Sequence, residues 1–284
     1  MIVEVLLPTS MFLLMAGMGL TLEADDFRRI AKAPLATILG TVLQLVVVPA
    51  AGFAIAVAFD LPPLLAAGVV ICAACPGGMF SNVFVHLAGA NTALSVTLTA
   101  SSTMVTLFTL PLWIRAILAW NGGGEPVAEV PVLETALSLG GLTVLPIALG
   151  MATRAKWPEA ASFDKWLTRI GALGIGIAMT IDWTTRETTP WAEFQQSFPP
   201  IIALLVAMLV IGIGLPFLFR LSGRDTVTLG VEVVVKNTLL GIVVARSALD
   251  FEAILPVMAY GTIETPLGGL MLFIWRWFEA RHKG

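Results

Sequence analysis

Nine apolar stretches, each long enough to cross a bilayer, follow one another near residues 2–22, 33–59, 63–89, 92–118, 131–152, 166–183, 198–220, 226–248 and 252–275. A helix needs roughly 20 mostly apolar residues to traverse the hydrocarbon core, and only structures that satisfy their own backbone polar groups survive there. The pattern predicts an all-α membrane protein with nine transmembrane helices. The 284 residues are 57% hydrophobic and only 12% charged, against about 25% charged in a soluble domain. Little chain is left for a soluble output domain, so a membrane sensor is not expected. Net charge is -3 and the basic residues sit in short clusters between apolar runs, unlike the basic face of a nucleic-acid binder. Cys72 and Cys75 share one apolar run. No second pair or His cluster completes a metal site, so neither zinc nor redox chemistry nor a disulfide is expected. The first apolar segment runs on into a charged loop, and no cleavable signal is expected.

Nine crossings put the termini on opposite sides, and the distribution of Lys and Arg sets the orientation. One side collects Arg28, Arg29, Lys32, Arg154, Lys156, Lys165, Arg169, Arg220, Arg224, Arg276, Arg281 and Lys283; the other holds Arg115, Arg186 and Arg246. Twelve against three, with Lys236 inside a span, predicts an outside N-terminus and a cytoplasmic C-terminus. Loops are short except Asn121 to Pro131 and Trp183 to Pro200, both outside. Trp113, Trp120, Trp183, Trp191, Trp275 and Trp277 lie near span ends and read as interfacial anchors.

Polar side chains at membrane depth are costly unless they face protein or water, so each is a functional candidate. The third span is interrupted by Cys75-Pro76-Gly77-Gly78, where Pro removes a backbone donor and the glycines relax the chain. Ser81 and Asn82 follow at the start of the next half-helix, whose free amides and positive dipole end favour an anion. The alternative is a proline kink healed by a neighbouring helix. Ser95, Thr99, Ser102 and Thr106 recur at intervals of four, three and four, a hydroxyl stripe down one face of the fourth span. Such a stripe serves either helix packing or, next to Ser81 and Asn82, the oxygen ligation of a small hard cation. The eighth span carries Glu232, Lys236 and Asn237. Four residues apart, Glu232 and Lys236 would share a face of a regular helix and neutralise each other. Gln44 and Glu264, near the middle of their segments, are further candidates; His86, alone near a helix end, reads as packed or snorkelling.

Cys-Pro-Gly-Gly-Met-Phe-Ser-Asn at 75–82, Ala-Leu-Ser-Val-Thr-Leu-Thr at 93–99 and Ser-Thr at 102–103 resemble the bile acid:sodium symporter family. The resemblance extends to Gly-Met-Gly-Leu with Asp-Phe downstream at 17–27, to Gln44 before Pro49, and to Glu-Val-Val-Val-Lys-Asn at 232–237. It implies inverted repeats with two crossing broken helices, a core (33–118 and 198–275) and a panel (2–22 and 131–183). The chain matches the nine-span form. A first sodium site is implied at Ser81, Asn82, Ser95, Thr99 and Glu232. A second is implied at Gln44 with backbone oxygens near 232–235 and a second Gln, where this chain has Lys236. An ammonium donates but has no lone pair for a cation, so Lys236 is expected to replace the second sodium or to contact substrate. Substrate contacts are implied at Gly78, Met79 and Asn237. Met79 stands where relatives often have a small polar residue.

The resemblance therefore implies a secondary active transporter of a small organic anion, bile-acid-like, pantoate-like or keto-acid-like, coupled to one sodium. A proton-coupled carrier or cation/proton antiporter is the alternative, because an intramembrane Lys beside carboxylates suits that chemistry as well. The expected setting is an inner membrane, with a monomeric carrier, no organic cofactor and no nucleic-acid partner. An intramembrane enzyme is not expected, since the spans offer no aspartate pair at depth and only the isolated His86.

Overall fold

A computed structural model describes residues 2–23, 35–122, 132–185 and 190–282. Among them the chain is helical, apart from one isolated antiparallel bridge between Gly77 and Lys236. The elements are α1 (Ile2–Thr21), α2 (Leu35–Val42), a π-helical turn (Leu43–Val47), α3 (Val48–Ala58), α4 (Pro63–Ala74), α5 (Met79–Leu87) and α6 (Thr92–Asn121). They continue with α7 (Val132–Lys156), α8 (Asp164–Thr184), α9 (Trp191–Gln196), α10 (Phe198–Leu218), α11 (Gly223–Val234), α12 (Thr238–Ala248) and α13 (Ile254–His282). Short 3-10 turns, Pro158–Phe163 and Phe251–Ala253, precede α8 and α13. Among the described residues six helical stretches are long and apolar enough to cross a membrane: Ile2–Thr21, Leu35–Ala58, Thr92–Asn121, Leu133–Lys156, Trp191–Leu218 and Phe251–Arg281. The remaining apolar runs are α8, which carries Arg169 and Asp182, and the paired half-helices α4–α5 and α11–α12.

Glycines set how closely the helices approach. A Cβ on Gly19 would stand 2.3 Å from the Ile147 carbonyl oxygen, and one on Gly150 would stand 2.4 Å from that of Ala16. One on Gly171 would lie 2.6 Å from the Ser10 carbonyl oxygen, so α1 lies in backbone contact with both α7 and α8 through small residues. Arg154 of α7 closes the end of α1 by donating to the Thr21 and Leu20 carbonyls at 2.5 and 3.2 Å and pairing with Glu23. These are carbonyls that a helix C-terminus leaves unpaired. On the other side of the molecule α4 is buried without interruption from Leu65 to Ala74, as expected of a helix apolar all round. Large apolar side chains such as Leu133, Leu173, Val210, Phe217 and Phe273 remain exposed on the outer surface, a belt suited to lipid.

Proline accounts for the π turn. Pro49 has no N–H to give the Leu45 carbonyl four residues back, and that carbonyl accepts a hydrogen bond from Trp113 Nε1 at 3.2 Å. The Val48 N–H reaches back five residues to the Leu43 carbonyl, closing the wider turn that contains Gln44.

Two segments depart from the sequence reading. Part of the stretch 183–200, expected as a loop, is helical, since α9 leads directly into α10 and Pro199 and Pro200 sit in the tolerant first turn. Its aromatic side chains pack on one another, with Trp183 and Phe194 centroids 5.9 Å apart and Phe194 and Phe198 5.1 Å apart. The last helix extends past the apolar run to His282, and Arg281 stacks 3.7 Å over the Trp277 ring. Arg28, Arg29, Lys32, Arg186, Lys283 and the Asp-Phe pair at 26–27 lie outside the described residues.

Candidate functional site at the crossing of two broken helices

Both breaks lie deep in the protein and meet. The first falls at Cys75 to Gly78, between α4 and α5. The second falls at Val235 to Asn237, where Val235 turns to an extended conformation (φ -97, ψ 97) and Asn237 caps α12 by accepting from the Leu240 N–H. No Gly or Pro marks this second break, which the resemblance alone implied. The run Val233-Val234-Val235 favours it, because β-branched residues are crowded in a helix. The broken ends satisfy each other: the Asn237 N–H donates to the Pro76 carbonyl at 2.9 Å and the Gly78 N–H to the Val235 carbonyl at 3.4 Å. The Tyr260 hydroxyl donates to the Val234 carbonyl at 2.5 Å.

Glu232 lies on one side of the crossing, fully buried, with the equally buried Ser81, Ser95 and Thr99. Ser81 and Ser95 approach its Oε1 at 2.6 and 2.5 Å, and Thr99 approaches Oε2 at 3.0 Å. Asn82 Oδ1 stands 2.6 Å from Ser95 Oγ and 3.5 Å from Thr99 Oγ1. All five predicted first-site residues are therefore brought together, from α5, α6 and α11. Each hydroxyl has one proton yet reaches two oxygens, Ser81 Oγ also lying 2.6 Å from the Gly78 carbonyl. Oxygen lone pairs therefore face one another without enough protons between them, an arrangement that a small hard cation relieves. The backbone must come close for this packing: a Cβ on Gly77 would stand 2.3 Å from Glu232 Oε2. The rest of the hydroxyl stripe does not join. Ser102 donates to the Thr99 carbonyl at 3.3 Å, and Thr106 Oγ1 is buried without a hydrogen-bond partner among the described residues.

On the other side lie Gln44 and Lys236. Gln44 Oε1 accepts from the Gly77 N–H at 3.2 Å, while its Nε2 is buried without a partner among the described residues. Lys236 is 2% exposed, and its Nζ likewise has no hydrogen-bond partner among the described residues. The expected helical pairing of Glu232 with Lys236 does not occur, because α11 ends at Val234 and the break turns Lys236 away. In a continuous helix the Lys236 and Asn237 amides would bond the carbonyls of Glu232 and Val233. Here they donate to Glu264 Oε2, at 2.9 Å, and to Pro76. Glu264 also accepts from the Thr238 hydroxyl. Tyr260 and Thr238 were not singled out from the sequence; Tyr260 is the chain's one tyrosine, in an apolar span, and that was a usable signal.

A cavity of about 420 Å³ adjoins the crossing, reaching from the starts of α5 and α12 to α1 and α8, with Gly78, Met79, Lys236, Asn237 and Glu264 among its lining. All three predicted substrate-site residues border it. Cys72 and Cys75 are buried free thiols, and no group of three or more His, Cys, Asp or Glu suited to a metal occurs among the described residues.

Residues 8–184 match the family described as the Sodium Bile acid symporter family. The chain belongs to this family. Among its relatives is the sodium-dependent transporter YocS of Bacillus subtilis, 27% identical over 270 residues that cover 93% of this chain and 80% of that protein. The human sodium/bile acid cotransporter 4 is 25% identical over 281 residues, 95% of this chain and 63% of the longer protein. The human ileal sodium/bile acid cotransporter is 32% identical over 185 residues, 63% of this chain and 51% of the other. The chain thus spans less than two thirds of the human relatives. The family is one of sodium-dependent membrane transporters, and its members named here are carriers, not enzymes.

Proposed function

We propose that the protein is a secondary active transporter that carries a small organic anion together with one sodium ion. The proton-poor oxygen cluster around Glu232 carries this reading. Ser81, Asn82, Ser95, Thr99 and Glu232 supply the hard ligands for sodium as a transported substrate, and the carboxylate balances its charge. Lys236 stands for the second cation. A sodium ion within about 4 Å of its ammonium would be repelled by about 4 kcal/mol at an effective dielectric constant of about 20. The N-terminus of the half-helix α5, which borders the cavity, presents its positive end to an anion, as at other broken-helix carriers.

In this reading nine spans form inverted repeats. The core is 33–118 and 198–275, and the panel is 2–22 and 131–183. The panel rocks against the core, so that the cavity opens to either side in turn. The N-terminus lies outside and the C-terminus in the cytoplasm of a cell with the carrier as a monomer in its inner membrane. Vesicles loaded by an inward sodium gradient should accumulate a labelled carboxylate from a mixed panel. Loss of uptake on replacing sodium with choline is expected; equal uptake in both would overturn the coupling.

The buried Lys236 and Glu264 on one cavity support a second reading, a proton-coupled carrier or cation/proton antiporter. Proton flux driven by sodium without any organic solute would favour it over symport.

A further inference from the structure

We propose that Glu264 sets the charge of the transported anion, admitting a single negative charge on an apolar body and excluding dianions. This rests on the reading that the cavity holds an organic anion. Two charged residues border that cavity, Lys236 and Glu264, and both are buried, at 2% and 4% exposure. Leu14, Met79, Ile242 and Met258 supply apolar wall. Lys236 Nζ has no hydrogen-bond partner among the described residues, and an ammonium buried without one is stabilised by an anion. Glu264 is already engaged, accepting from the Lys236 amide at 2.9 Å and from the Thr238 hydroxyl. Those bonds hold a negative charge beside the first turn of α12, so the positive end of that half-helix is met from within the protein. What remains for a ligand is the Lys236 ammonium and the start of α5, whose first amides have no helical acceptor.

The cavity thus offers one cationic side chain whose Nζ has no hydrogen-bond partner among the described residues. A first carboxylate finds Lys236; a second, on the same short body, finds the Glu264 carboxylate and no further cation. Glu264 is the discriminating group because it is the cavity's one acidic side chain among the described residues.

Binding of pentanoate against glutarate, and of hexanoate against adipate, to the purified full-length chain in sodium tests this by calorimetry. Wild type is expected to bind each monocarboxylate at least about tenfold more tightly than the dicarboxylate of equal length. Glu264→Gln keeps an acceptor for the Thr238 hydroxyl or the Lys236 amide and should narrow the ratio to about twofold, chiefly by gaining dicarboxylate affinity. Glu264→Asp keeps the charge and should keep the selectivity. Equal binding of both classes by wild type, or an unchanged ratio in folded Glu264→Gln, overturns the role of Glu264 and leaves the anion carrier standing. Binding of neither class by wild type overturns the anion reading itself.

Discussion

The two faces of the crossing use the same backbone framework to opposite ends. On the Glu232 face, oxygens from three elements crowd a buried carboxylate with too few protons to go round. On the Lys236 face, the Gln44 amide nitrogen and the Lys236 ammonium are buried donors without acceptors among the described residues. One face has too few donors for its oxygens, and the other has buried donors to spare. In the proposed reading, Lys236 supplies on the second face the positive charge that a bound ion supplies on the first.

Substitutions can break this contrast in order of expected effect. Glu232→Gln removes the charge that the first face is built around; losing one partner of a buried ion pair costs about 3–5 kcal/mol, so sodium affinity should fall about 100-fold or more in sodium-dependent uptake. Ser95→Ala removes one neutral ligand and its bond to the carboxylate, about 1.5–3 kcal/mol. The sodium concentration for half-maximal uptake should rise about tenfold, with the maximal rate less affected. Gly77→Ala forces a methyl group against Glu232 Oε2 and should lower stability by about 1–3 kcal/mol, read as a lower midpoint in thermal unfolding. Trp113→Phe leaves the Leu45 carbonyl of the π turn without its indole donor. A loss of about 1 kcal/mol should appear in the same assay, with sodium affinity shifted far less than by Ser95→Ala.

The contrast also separates what the sequence reveals from what it hides. Pro76-Gly77-Gly78 announces its break, because proline and glycine disrupt a helix wherever they stand. The break at 235–237 carries only β-branched residues, whose weak helix preference is visible but not decisive; tertiary partners, Pro76 and Glu264, hold it open. The spacing of Glu232 and Lys236 pointed to a neutralising pair because that inference assumes a continuous helix. Ser81 and Glu232 are 151 residues apart, a juxtaposition that no local pattern contains and that the family resemblance alone anticipated. Gln44 was legible as a polar residue in an apolar run, whereas the π turn that presents it follows from Pro49, a signal present in the sequence and not used. Glu264 was read as a candidate for its depth, but its engagement with the start of α12 needed the folded chain.

The sodium dependence of uptake in proteoliposomes, compared between wild type and Lys236→Gln at saturating anion, tests most directly whether Lys236 stands for a cation. A Hill coefficient near one is expected for wild type, rising toward two when the ammonium is replaced by an amide that can ligate a second ion. A coefficient near two in the wild type contradicts the replacement.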